Sequence, residues 1–148
     1  MLDASITVGS CVGEPEARAV AEVVMDLLRD GAVVAPGIWL GEVANALLSK
    51  ERSTRPGHRL ERVEVDAFLD LLERLPVVVD EGPNPLRLGA VVAVARDTGL
   101  TVYDAHYLEL AQRLGLPLAS LDADLCESAR VAGIEVLDEE SLPPWKHQ

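Results

Sequence analysis

The sequence predicts an α/β fold with a mainly parallel central sheet and helices on both of its faces. Three observations predict it. Helix-period segments alternate with short apolar runs. Four helix-like stretches end in glycine just before such a run, at Asp30-Gly31, Thr98-Gly99, Leu114-Gly115 and Ala132-Gly133. Aspartate recurs where the runs stop. Glycine tolerates the left-handed conformation that closes a helix, so each glycine reads as a helix stop followed by a strand or an extended lead-in. Strands that alternate with helices return to the same sheet edge in a right-handed sense, which makes the sheet mainly parallel.

Only Met1 and Leu2 precede Asp3, so the first strand is expected to be very short. A helix over about residues 14 to 30 places Val20, Val24, Leu27 and Leu28 on one face. A strand near Ala32 to Ala35 is ended by Pro36. A helix from about Ile38 to Lys50 carries an apolar stripe of Trp39, Val43, Ala46 and Leu47. An arginine-rich loop leads to a helix near Leu60 to Leu75, then to the run Val77-Val78-Val79. Asn84-Pro85 opens a helix reaching about Thr98, and another follows Asp104 as far as Leu114. The order closes with a strand from Pro117 to Leu121, a helix near Asp124 to Ala132, and a strand from Ile134 to Leu137. Internal repeats, low-complexity tracts and linker composition are absent, so residues 1–148 read as one domain of ordinary size.

The core is expected to be aliphatic, because only Trp39, Phe68, Tyr103, Tyr107 and Trp145 are aromatic. Cys11 and Cys126 form no Cys-x-x-Cys pair and read as free, buried thiols in a reducing cytoplasm. No apolar run approaches bilayer-spanning length, so a soluble cytoplasmic protein without membrane contact is expected. The net charge of −12 argues against a nucleic-acid partner unless the charge is unevenly distributed. It is: Lys50, Arg52, Arg55, Arg59 and Arg62 gather five of the 13 basic residues in one stretch, with His58 among them. That stretch reads equally as a solvated loop and as a contact for nucleic-acid backbone, which would bring affinity with little sequence selection.

Ligands of parallel sheets bind beyond the carboxyl ends of the strands. Asp3, Asp80, Asp104, Asp122 and Asp138 all follow apolar runs. Aspartate is also a favoured helix N-cap, and taken singly each of the five has that reading; for Asp80 and Asp138, capping or solvent exposure is preferred. Glu42 differs. It lies inside an amphipathic helix beside Trp39 and Val43, where an unpaired buried carboxylate is costly. Crowded carboxylates must protonate or bind a hard cation, and oxygen-only ligation selects Mg²⁺ or Mn²⁺. An ion of that kind activates water and neutralises a phosphodiester during hydrolysis.

Four motifs then resemble those of PIN domains in order and spacing: Leu2-Asp3-Ala4-Ser5; Ala35 to Leu47, with Gly41-Glu42-Val43-Ala44-Asn45; Tyr103-Asp104-Ala105-His106-Tyr107; and Ser120-Leu121-Asp122-Ala123-Asp124. The fourth is usually headed by threonine, and serine keeps the hydroxyl. The resemblance implies a compact three-layer α/β/α sandwich and a Mg²⁺- or Mn²⁺-dependent endoribonuclease. It also implies the VapC type of toxin, homodimeric and restrained by a cognate antitoxin protein. By the same resemblance Asp3 and Asp104 would be the principal metal ligands, Glu42 and Asp122 would complete the catalytic acids, and Asp124 would be auxiliary. Ser5, Ser120 and Asn45 would support them. Apart from the resemblance, the uneven charge makes Lys50, Arg52, Arg55 and Arg59 the expected contacts for RNA. His58, His106 and His147 show no ligand spacing, and Trp145 is expected to pin the tail.

Two other classes compete. One is a PIN-fold module with weak or no activity that binds RNA or protein. The other is a phosphatase using an aspartyl-phosphate, disfavoured because such enzymes need a second aspartate two residues after the first, where Ser5 stands.

Overall fold

Four short strands carry the fold in a computed structural model that describes residues 1–12, 15–29, 31–55, 59–80 and 85–141. Strand β1 (Val33–Pro36) pairs in parallel with β2 (Val77–Asp80), Val33 opposite Val77 and Pro36 opposite Asp80. Strand β3 (Leu118–Ala119) pairs in parallel with β4 (Val136–Leu137). The N-terminal residues join the two pairs. Leu2 N–H donates to the Val34 carbonyl at 2.9 Å, Asp3 N–H to Ala119 at 3.0 Å, and Ala119 N–H to Met1 at 2.9 Å. The spatial order is therefore β2, β1, Met1–Asp3, β3, β4. Chain order reverses direction at the N-terminal segment, and the crevice that such a reversal opens lies directly beyond Asp3.

The helices are α1 (Ala4–Val12), α2 (Pro15–Arg29), α3 (Ile38–Glu51), α4 (Arg62–Leu72), α5 (Pro85–Thr98), α6 (Val102–Leu114) and α7 (Ala123–Val131), with a 3-10 turn at Glu139–Ser141. Gly99, Gly115 and Gly133 take positive φ at three of the four expected stops, which α-helical continuation does not allow. Gly31 does not, and Asp30 before it lies outside the described residues. Also outside them are the side chains of Cys11, Leu27 and Leu28, together with His58, Asn84, Trp145 and His147.

Four expectations need correction. Helix α1 occupies a stretch for which no helix was expected, because Ile6, Thr7 and Val8 are all buried and a helix buried all round lacks the polar face that creates a 3.6-residue signal. Helix α6 starts at Val102, so the run before Asp104 is the helix's own first turn and not a strand. Thr101 caps it, accepting the Asp104 N–H at 3.2 Å. Pro36 is the last residue of β1 rather than its terminator, and β3 and β4 are shorter than the apolar runs that announce them.

The core runs through Leu2, Ile6, Val20, Val24, Trp39, Val43, Leu47, Phe68, Leu108, Leu118 and Leu125. It is largely aliphatic, but Trp39, Phe68 and Tyr107 are buried in it. Trp39 brings a polar atom inward and satisfies it: Nε1 donates to Thr7 Oγ1 at 3.1 Å. α1 thereby locks to α3, the two helices that flank the reversal point. Leu118 is fully buried at the centre of this layer. Leu118→Ala is expected to cost about 2–5 kcal/mol, read as a lowered urea midpoint with unchanged slope. A loss below about 1 kcal/mol would mean the layer collapses around the gap.

Candidate active site

Asp3 stands between the central segment and α1, and it is 7% exposed. Its carboxylate accepts hydrogen bonds from the Ser5 hydroxyl and, at 2.7 Å, from Ser120 Oγ. The backbone N–H groups of Ala4 and Ser5 also point at it. Burial pushes its pKa up, and the two serine hydroxyls and the backbone donors pull against that shift. Both serines reach further. Ser5 Oγ accepts the Leu121 N–H at 2.9 Å, and Ser120 Oγ accepts the Asp122 N–H at 3.0 Å. The two hydroxyls thus fasten the acid of the first motif to the backbone of the fourth.

Asp122 caps α7, accepting the Leu125 N–H at 2.9 Å. Asp104 lies in the first turn of α6 and receives the Thr101 hydroxyl at 2.6 Å. Glu42 sits half-buried on the first turns of α3, and the hydroxyl of Tyr107 on α6 donates to it. Burial raises the pKa of Glu42; the tyrosine bond opposes this, and the charges of Asp3 and Asp104 raise it further. Burial and the carboxylate partner push the Tyr107 phenol upward, which keeps it a donor.

Asp3, Ser5, Glu42, Lys50, Asp104 and Asp122 line one open cleft of about 410 Å³. A neighbouring groove of about 630 Å³ between α6 and α7 shares Asp104 and Asp122 and adds Asp97, Asp124 and Glu127. Asp124 therefore opens onto the groove rather than the cleft. Among the described residues no three acids stand close enough to hold a metal ion as they are, each carboxylate being turned to its own hydroxyl or N–H donor. The donor chemistry still fits a hard divalent cation, because four carboxylates and a serine hydroxyl line one cleft with no histidine or thiol. None of the four acids is in an ion pair among the described residues, whereas other acids are.

Asp80 and Asp138 belong elsewhere. Asp80 is held by Arg87 at 3.1 Å and Arg113 at 2.9 Å, so it is not simply solvent-exposed; residues 81–84, whose N–H groups a cap would engage, lie outside the described residues. Asp138 is buried, pairs with Arg130 and accepts the Ser141 N–H at 3.2 Å in the 3-10 turn. His106, expected at the surface, is half-buried over Asp80, Arg113 and Glu109. Asn45 is exposed, as are Arg52, Arg55 and Arg59, the last of them 3.9 Å from Glu61. Cys126 is buried with its thiol donating to the Ser120 carbonyl, and burial pushes its pKa up to about 11, which leaves it unreactive.

Two contributors escaped the sequence reading, though both left a signal there. Thr101-Val-Tyr-Asp104 has the spacing of a capping box. Tyr107 is the one buried donor that a glutamate on an apolar helix face requires, and it stands within the third motif.

A family model for the PIN domain matches residues 1–131. The crystal structure of PAE2754 from Pyrobaculum aerophilum superposes with a TM-score of 0.59 at 24% identity, covering 92% of this chain and 87% of that one, a likeness of fold. No curated protein matches the chain significantly by sequence.

The raised pKa of Glu42 has a consequence for stability. Below about pH 4 the folded and unfolded chains both hold the proton and no penalty exists. As pH rises from there the unfolded chain ionises first, so the penalty grows until the folded carboxyl has also ionised. Glu42→Gln keeps an acceptor for Tyr107 and removes the charge. In chelator its melting temperature should exceed that of the parent at pH 7–8, with the gap narrowing toward pH 4. An equal gap at both pH values would contradict the assignment.

Proposed function

The chain belongs to the PIN-domain family, and from that premise we propose that it is a divalent-metal-dependent endoribonuclease that hydrolyses RNA phosphodiester bonds. PIN domains are generally nucleases that need a divalent metal. The observation that carries the finer reading is the meeting of Asp3, Glu42, Asp104 and Asp122, from four separate motifs, on one cleft at the carboxyl ends of the strands. We further propose that the protein is the toxin of a VapBC-type pair, a cytoplasmic homodimer held in check by a cognate antitoxin. Helices in layers on either side of the parallel strands complete the three-layer sandwich of this reading. No helix among the described residues is long and apolar enough to cross a membrane.

In this proposal Asp3 and Asp104 would hold Mg²⁺ or Mn²⁺, with Glu42 and Asp122 completing the acids and Asp124 in reserve at the edge of the groove. The cation would supply an activated water and charge neutralisation at the scissile phosphate. The rest falls to the chain. Ser5 and Ser120 fix both the place and the charge of Asp3. Tyr107 occupies one oxygen of Glu42 and leaves the other to orient the attacking water. Thr101 occupies one oxygen of Asp104 and leaves the other for the cation, and the exposed Arg52, Arg55 and Arg59 meet RNA backbone beyond the end of α3.

One observation favours a second reading, a PIN-fold module that binds RNA or protein without cleaving: among the described residues the acids do not converge on a metal-sized point. Manganese titration separates the two, since saturable binding is required by the first and not by the second.

Purified protein should cleave single-stranded RNA only when Mg²⁺ or Mn²⁺ is supplied, and Asp104→Asn should abolish cleavage. An unchanged rate in that variant rejects the ribonuclease reading. Ser120→Ala and Tyr107→Phe act through the acids they hold, and each is expected to weaken Mn²⁺ affinity by about 10–100-fold in calorimetry. Affinity equal to the parent in both would remove the hydroxyls from the site.

A further inference from the structure

We propose that Lys50 binds a non-scissile phosphate of the substrate and thereby fixes the side from which RNA enters, an inference that rests on the ribonuclease reading. Among the described residues Lys50 is the only cation lining the acidic cleft. Glu42, Ala46 and Lys50 all line it, and their spacing of four residues places them in a row along one face of α3. Eight residues of helix rise separate Glu42 from Lys50 by about 12 Å. Among the described residues no ion pair joins Lys50 to an acid of the cleft, which leaves its ammonium group for a strand whose scissile phosphate sits among those acids. Ala46, small and between the two, leaves the row open.

The groove on the other side of Asp104 and Asp122 has the opposite character. Asp97, Asp104, Asp122, Asp124 and Glu127 line it, with no basic residue among the described residues of the lining. A polyanion is repelled there and attracted along α3, where Lys50 is followed by the exposed Arg52 and Arg55. The electrostatics of the two clefts therefore give the substrate one direction of approach: over the C-terminal end of α3, past Lys50, to the acids. Lys50 also stands in the last turn of α3, where a cation favours the helix dipole. That role alone would touch stability and leave RNA untouched.

The test is the salt dependence of cleavage of a single-stranded RNA by the full chain with Mn²⁺. Each phosphate contact on a single strand contributes about 0.7 to the slope of log affinity against log salt. Lys50→Gln should flatten that slope by about 0.7 and raise KM about tenfold while kcat holds, and Lys50→Arg should restore both. Glu127→Gln, in the acidic groove, should not raise KM. Thermal unfolding of Lys50→Gln close to that of the parent is expected, and a shift in melting temperature with KM and slope unchanged would assign Lys50 to the helix end and overturn the inference. Cleavage by the parent with an unaltered slope in Lys50→Gln would overturn it alone. Failure of the parent to cleave any RNA would overturn the ribonuclease reading and this inference with it.

Discussion

Everything in this molecule turns on one buried carboxylate. Asp3 sits where the order of strands reverses, and burying it without compensation would be severely unfavourable. Two serine hydroxyls and two backbone N–H groups make the position tenable. The same serines accept N–H groups of Leu121 and Asp122, so satisfying Asp3 also sets the path of the chain leaving β3 and the start of α7. The site and the fold share these bonds. Removing either serine leaves one backbone N–H without its acceptor and takes from Asp3 Oδ2 one of its two hydroxyl donors.

The short N-terminal segment has a structural duty out of proportion to its length. Its hydrogen bonds to Val34 and Ala119 join two otherwise separate pairs of strands. Strands of two residues contribute little pairing of their own, so side-chain burial carries the arrangement. Leu2 is 2% exposed and Leu118 and Ala119 are buried with it. Hydrophobic contact sets the order of strands, and the few ladder bonds fix register.

This division explains what was legible in the sequence. The alternation of helices and apolar runs, the glycine stops and the acids after the runs are local signals, and they located β1, β2 and α2 to α7 to within a few residues. Helix α1 was not legible, since Ala4–Val12 is apolar or small on every side and its helicity is imposed by burial. Thr101–Tyr103 misled because β-branched and aromatic residues favour strands, yet the Thr101–Asp104 cap outweighs that preference. At the site, the types and spacings of the acids could be read directly. Their partners could not, because the Ser120–Asp3 and Tyr107–Glu42 bonds join residues 117 and 65 positions apart.

The partners also separate two kinds of acid that sequence alone leaves mixed. Asp80, Glu109 and Asp138 lie beside arginines, which neutralise them and tie helices to strands. Asp3, Glu42, Asp104 and Asp122 are held by hydroxyls and N–H groups instead. A hydroxyl donor orients a carboxylate without cancelling its charge, whereas an arginine does both. An acid meant only to support the fold gains from full neutralisation. An acid meant to attract a cation must keep its charge and still be held in place, and an uncharged donor is the partner that allows both. With the acids held this way, the −12 charge of the chain ceases to argue against a polyanionic substrate. Under the proposed function a divalent cation held in the cleft would offset part of the carboxylate charge there, and the acids of the α6–α7 groove would restrict where the polyanion lies.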